Sequence, residues 1–186
     1  MSIWQPPRES DYTLPSELCP HPEWWSSENA YATEVESSML VAALVKATQP
    51  EFVVEVGSHY GQTSERISKV ITENGHGEFV SLEIDPDLFG SASHRCAGLC
   101  VQLININSLE YIPPKPIDFL FVDGSMDRLS DFEHFLSYMS PRGMIVVHDT
   151  AAEGYIQQVP RMLELCKGDH IQLDTPRGLL ILKVAK

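Results

Sequence analysis

Residues 53–67 read VVEVGSHYGQTSERI: an apolar run, an acid, two glycines four positions apart, a Thr-Ser pair and then apolar residues at helical spacing. The order strand, turn, helix follows from that pattern. Glycine at 57 lets the chain turn directly after the strand. Glycine at 61 lets backbone approach a ligand with no side chain between them. Glu55, one residue before the strand ends, is then an acid beneath that ligand. The spacing is Gly-x-x-x-Gly and not the GxGxxG of a dinucleotide site, so a nicotinamide-dependent oxidoreductase is poorly supported. Taken alone, the stretch reads either as a ligand-cradling loop or as a sharp turn.

Further along, short β-branched runs recur at FVVEV (52–56), EFVSLEI (78–84), CVQLINI (100–106), IDFLFV (117–122) and MIVVH (144–148). Helical patterns at Gln62 to Asn74, Pro86 to Gly98 and Leu129 to Met139 separate most of them, with turn signals at Asn74-Gly75, Pro113-Pro114 and Pro141-Arg142-Gly143. Runs apolar on both faces and joined by helices predict a largely parallel sheet covered on both sides. Glu34 to Lys46 predicts one more helix, ending before Gln49-Pro50. In the tail, a helix over Tyr155 to Lys167 precedes HIQLD and GLLILKVA, which are too close for a crossover and must pair antiparallel.

The length of 186 residues predicts one core. A net charge of −13, from 13 basic and 26 acidic residues, argues against nucleic acid or anionic lipid and leaves small molecules as partners. The chain has no apolar run long enough to span a membrane and no leader pattern. Cys19, Cys96, Cys100 and Cys166 lack disulfide-scaffold or paired metal-ligand spacing, which predicts a reducing cytoplasmic setting. Residues 1–36 hold all three tryptophans, five prolines, seven acids and only one base, Arg8. An arm over 1–33 is expected ahead of a domain over 34–186. It would lie on the domain surface, over a substrate pocket as a lid, or on a second subunit in a homodimer.

In open parallel sheets, ligands bind beyond the carboxyl ends of the strands, where strand order reverses. Glu83 and Asp85 end the second predicted strand, and an acid there can accept both hydroxyls of a ribose. Together with the first loop, this points to a ligand carrying an adenosine-like group.

VVEVGSHYGQTSERI, VSLEIDPD, NSLEYIPP, IDFLFVDGSMDR and SPRGMIVVHDT resemble, in order and spacing, the motifs of class I S-adenosylmethionine-dependent methyltransferases. The likeness is to small-molecule O-methyltransferases of the catechol and caffeoyl-coenzyme A kind, and to the cephalosporin-hydroxylase-like group. It implies an α/β Rossmann-like fold: a seven-stranded sheet of order 3-2-1-4-5-7-6, mostly parallel with one antiparallel strand, and helices on both faces. It implies methyl transfer to a hydroxyl or carboxylate oxygen of a small-molecule acceptor. Cofactor contacts would fall to Glu55, Gly57, Ser58, Gly61, Thr63, Glu83, Ile84, Asn107, Ser108 and Asp123. Thr63 and Ser64 match the small polar pair that begins the following helix, and capping of that helix is their competing reading.

Metal-dependent relatives hold Mg²⁺ with an acid after the fourth strand and an acid-Asn pair after the fifth. Asp123 and Asp149 match, but Thr150 stands where the Asn is expected, so a metal at Asp123 and Asp149 would be held more weakly. Met126 stands where catechol-type enzymes carry a lysine, and methionine takes no proton. His148, His59 and Asp127 are the candidate bases, with His148, Asp123 and Asp149 the catalytic set. The competing readings of His148 are a partly buried strand-end histidine bonded to backbone and a metal ligand, the latter disfavoured because strand alternation directs it away from Asp149. The departures at Met126 and Thr150 also leave open a protein that binds the cofactor without catalysis.

Overall fold

The computed structural model describes residues 15–29, 31–124 and 127–185. The expectations for Trp4, Arg8 and Met126 lie outside the described residues.

Seven strands form one sheet of order β3-β2-β1-β4-β5-β7-β6. They are β1 (Phe52–Val56), β2 (Glu78–Glu83), β3 (Gln102–Asn105), β4 (Ile117–Val122), β5 (Met139–His148), β6 (His170–Leu173) and β7 (Leu179–Lys183). β1 pairs parallel with β2 and β4, whereas β7 runs antiparallel to both β5 and β6. The reversal of order between β1 and β4 opens the crevice at their carboxyl ends.

Every residue of β1 is buried, because both faces of the sheet are covered. Alternation sends Val53 toward α1 (Val35–Thr48) and α2 (Gln62–Asn74), where it meets Val41, Val45, Ile67 and Ile71. Phe52, Val54 and Val56 take the other face, against Phe132 and Phe135 of α4 (Arg128–Leu136) and Met162 of α5 (Val159–Cys166). Each such fully buried side chain contributes about 1.5–3 kcal/mol. Glu55 therefore shares the α2 face with Val53, and His148 shares a face with Val146, which packs in the same cluster as α1.

Local chemistry sets the helix ends. α2 stops at Gly75, in the left-handed region at φ 73°, whose N–H reaches the carbonyls of Ile71 and Thr72. α3 (Pro86–Arg95) starts with Pro86 after Asp85, whose Oδ1 accepts the N–H groups of Asp87 (2.8 Å) and Leu88 (3.1 Å). Asp85 is thus a helix cap, which leaves Glu83 as the acid of that pair available to the crevice.

Three expectations need correction. Pro141-Arg142-Gly143 is not a turn before a strand but an irregularity inside β5: as β4 advances from Ile117 to Phe119, β5 advances from Met139 to Met144. Arg142 at φ 70° absorbs the extra residues. The helix expected over Tyr155 to Lys167 is a 3-10 turn at Ile156–Gln158 followed by α5, with Pro160 near the start of α5. α2 is capped by Gly61 at φ 77° with no side-chain cap, so Thr63 and Ser64 do not cap it.

Candidate functional site

A cavity of about 110 Å³ lies beyond β1, β2 and β4. Its floor is the loop after β1, where Gly57 (φ 88°) and Gly124 pack back to back: a Cβ on Gly57 would stand 2.2 Å from the Gly124 Cα. Ser58, His59, Thr63, Glu83 and Asp123 line it, and Glu28 to Thr33 of the arm, Ala30 not being described, supply its outer wall. Gly61 is not part of the lining; its missing side chain lets α2 lie against Ala92 of α3, 3.0 Å from where a Cβ would be.

Glu83 is held by backbone. Its Oε2 accepts the N–H of His59 (2.7 Å) and its Oε1 that of Asp85 (3.0 Å), so its carboxylate is fixed at the cavity edge before any ligand arrives. Asn105 Nδ2 donates to the carbonyls of Glu83 (2.7 Å) and Ile84 (3.1 Å), tying β3 to the same corner. The Ile84 side chain is exposed. Asn107 caps the 3-10 turn Ser108–Glu110 through the Leu109 N–H, and Ser108 donates to Asp131 (2.5 Å). These three stand beside the crevice and outside the cavity lining.

Glu55 does not reach the cavity. Fully buried under α2, its Oε2 accepts the hydroxyls of Ser64 and Ser81 (2.6 Å for Ser81), while Oε1 has no hydrogen-bond partner. Burial, only partly opposed by those hydroxyls, pushes its pKa up to about 7.

The carboxyl ends of β4 and β5 carry a buried ionic network. His148, fully buried, has Nδ1 3.1 Å from Asp123 Oδ1 and Nε2 2.8 Å from Glu34 Oε2. Carboxylates only accept, so both ring nitrogens donate. Burial opposes the charge on the ring, but Asp123, Asp149 and Glu34 outweigh it and push the pKa up to about 10. Glu34 is held down to about 2: burial opposes its charge, and His148 and Arg177 overcome that. Arg128 Nη2 bridges Asp123 Oδ1 (2.9 Å) and Asp149 Oδ2 (2.7 Å), and its guanidinium carbon lies 4.9 Å from the centre of the Tyr155 ring. Arg177 Nε reaches Glu34 Oε1 (3.1 Å) and Asp149 Oδ1 (3.4 Å). Thr33 donates its hydroxyl to Asp123 Oδ2 (2.5 Å).

His148 was expected to point away from Asp149, yet Nδ1 is 3.4 Å from Asp149 Oδ1. The reason is backbone: Asp149 takes φ 64°, leaves the strand and folds its side chain back toward the histidine. A ring with both nitrogens engaged by carboxylates has no lone pair for a substrate proton. His59, one of the candidate bases, lines the cavity, half-buried, and burial lowers its pKa. Asp127 caps α4 through Ser130 and is not part of the lining.

Sequence reasoning passed over Thr33, Glu34, Arg128 and Arg177. Arg128 was visible in DGSMDR and Arg177 in TPRG, as two of few bases in an acidic chain. Nothing local tied them to residues on other strands.

Residues 54–150, 97 of the 186, match the family described as a methyltransferase domain. No curated protein matches the chain. Among solved structures, it resembles the O-methyltransferase TomG of Streptomyces achromogenes in complex with SAM, at 20% identity over 84% of this chain and 83% of that chain, with a TM-score of 0.69. The SAH-bound methyltransferase PaMTH1 of Podospora anserina superimposes with a TM-score of 0.74 at 14% identity, covering 86% and 82%. The O-methyltransferase of Bacillus cereus in complex with SAH gives 0.67 at 19%, covering 84% of each chain. At these identities the likeness is one of fold, and the matched sequence blocks carry the assignment: the chain belongs to the methyltransferase domain family.

Proposed function

We propose that this protein is an S-adenosylmethionine-dependent methyltransferase that transfers a methyl group to a hydroxyl or carboxylate oxygen of a small molecule. The observation that carries the reading is Glu83, preset by two backbone N–H groups at the edge of the cavity beyond β1 and β2, as the ribose of an adenosyl group requires. The Gly57–Gly124 contact supports it, since a side chain at either glycine would collide with the backbone of the other loop and push the floor of the cavity apart. O-methyltransferases bound to SAM or SAH share the fold.

Bound here, S-adenosylmethionine supplies a methyl group on a positively charged sulfur, an electrophile that a carboxylate or acidic phenol can attack directly. Glu83 would hold the ribose, and Gly57 and Ser58 would face the methionine portion. With His148 sealed between carboxylates, His59, which lines the cavity with its pKa lowered by burial, is placed to take the proton of a hydroxyl acceptor. A carboxylate acceptor needs only alignment and exclusion of water, and alignment alone contributes on the order of 7–11 kcal/mol in favourable cases. Tyr31 and Tyr60, both exposed at the cavity mouth, fit an aromatic acceptor.

The cavity is smaller than the roughly 300 Å³ or more usual for such ligands, and the arm forms its outer wall. Arg95 fastens that arm, with Nη1 and Nη2 on Glu28 (2.8 and 2.6 Å) and Nε on Glu65 (2.9 Å). We read Glu28 to Thr33 as a lid that opens to admit ligand. Incubation with methyl-labelled S-adenosylmethionine and a panel of phenols and carboxylic acids tests the activity. Label should appear in at least one acceptor, with S-adenosylhomocysteine released in equal amount; a panel yielding neither would speak against the assignment to oxygen.

A further inference from the structure

Asp123, His148 and Asp149 each offer a ligand atom within 4.8 Å of the others, a spacing that suits a metal ion. The atoms around them do not. Arg128 Nη2 touches one oxygen of each acid, at 2.9 and 2.7 Å, with the Arg128 side chain 6% exposed. The other Asp123 oxygen accepts the Thr33 hydroxyl. Asp149 Oδ1 makes no hydrogen bond, but its neighbours at 3.4 Å are Arg177 Nε and His148 Nδ1.

Mg²⁺ takes six oxygens at about 2.0–2.1 Å. A guanidinium has five N–H donors, a permanent charge and no lone pair. An ion at the acid pair would face two arginines where it needs oxygen. Thr150, in the position where an Asn would complete the metal set, is turned elsewhere: its Oγ1 accepts Gln172 Nε2 at 2.8 Å. Charge gives the same answer. Three carboxylates, Glu34, Asp123 and Asp149, already contact two guanidinium groups, and adding a dication would leave excess positive charge in a site removed from water.

We propose that Arg128 stands in place of a divalent cation: its guanidinium is the built-in counter-charge of Asp123 and Asp149, and the pair takes no Mg²⁺. Arg128 is then a positioning residue that joins the ends of β4 and β5 under the cavity, and ligand binding needs no metal. This rests on the reading of the cavity as a cofactor site.

Mn²⁺ is the probe, followed by loss of its free paramagnetic resonance signal on titration into the full chain. Calorimetry with S-adenosylhomocysteine runs in parallel, with and without EDTA. The wild-type protein should leave the Mn²⁺ signal unchanged and bind S-adenosylhomocysteine equally well in both buffers. Arg128→Met should bind Mn²⁺ at least about tenfold more tightly than wild type. One Mn²⁺ bound per wild-type chain and lost in Asp149→Asn would overturn the proposal, and that comparison holds even where Arg128→Met does not fold. Failure of S-adenosylhomocysteine to bind in either buffer would instead remove the cofactor reading, leaving the Mn²⁺ titration to decide the acid pair.

Discussion

Glu34 and His148, 114 positions apart, meet at 2.8 Å with both side chains fully buried. Glu34 immediately precedes α1 and His148 ends β5, so this contact pins the first helix to the carboxyl edge of the sheet. The folded pKa of His148, about 10, lies above the ordinary 6.5. Its stabilisation is therefore complete below about pH 6.5 and is lost as pH rises through 10. Thermal melts across that range should show a falling melting temperature. His148→Gln should cost about 3–5 kcal/mol near neutrality by leaving Glu34 short of a charged partner, and should flatten the slope. An unchanged slope would contradict the buried imidazolium.

Glu55 behaves in the opposite sense to most carboxylates. With a folded pKa near 7 against an ordinary 4.5, its contribution is complete below pH 4.5 and lost as pH rises through 7. Glu55→Gln should therefore be more stable than wild type at pH 8, by on the order of 3 kcal/mol, and show little advantage at pH 4.5. Denaturant titrations at the two pH values would decide it.

Gly57 tolerates no side chain. Its left-handed φ alone would cost an alanine on the order of 1–3 kcal/mol, and the Cβ would stand 2.2 Å from Gly124. Gly57→Ala should lower the melting temperature and abolish S-adenosylhomocysteine binding, whereas Gly75→Ala, with nothing within 4 Å of its Cβ, should only destabilise. Equal binding losses in the two variants would sink the placement of the loop under the ligand.

Arg95 holds the arm from a half-buried position. In Arg95→Ala, amide hydrogen exchange over residues 26–33 should accelerate while that of β1 and β4 stays slow. Saturation with S-adenosylhomocysteine should slow exchange over 26–33 in the wild type. An arm that exchanges at the same rate in all three conditions is not a lid.

The sheet was readable because its signals are local. β1 and β4 are bounded by turn residues and, apart from Glu55 and Asp118, apolar throughout, and α2 ends at an Asn-Gly pair. Pro141-Arg142-Gly143 misled because turn chemistry inside a strand reads the same as turn chemistry between elements; only the register against β4 separates them. The position of Glu83 at the cavity edge was legible from its place at a strand end. The network of Glu34, Arg128, His148, Asp149 and Arg177 was not, since its contacts join residues from opposite ends of the chain. The closeness of His148 and Asp149 turned on the left-handed backbone of Asp149, which no spacing rule marks.

Calorimetric titration of S-adenosylhomocysteine into the wild type and Glu83→Ala tests the central claim most directly. Hydrogen bonds to a charged group contribute about 1.5–3 kcal/mol, so the wild type should bind one equivalent and the variant should bind about 10- to 100-fold more weakly with its fold intact. Absence of binding to the wild type, or equal affinity in the two proteins, would contradict it.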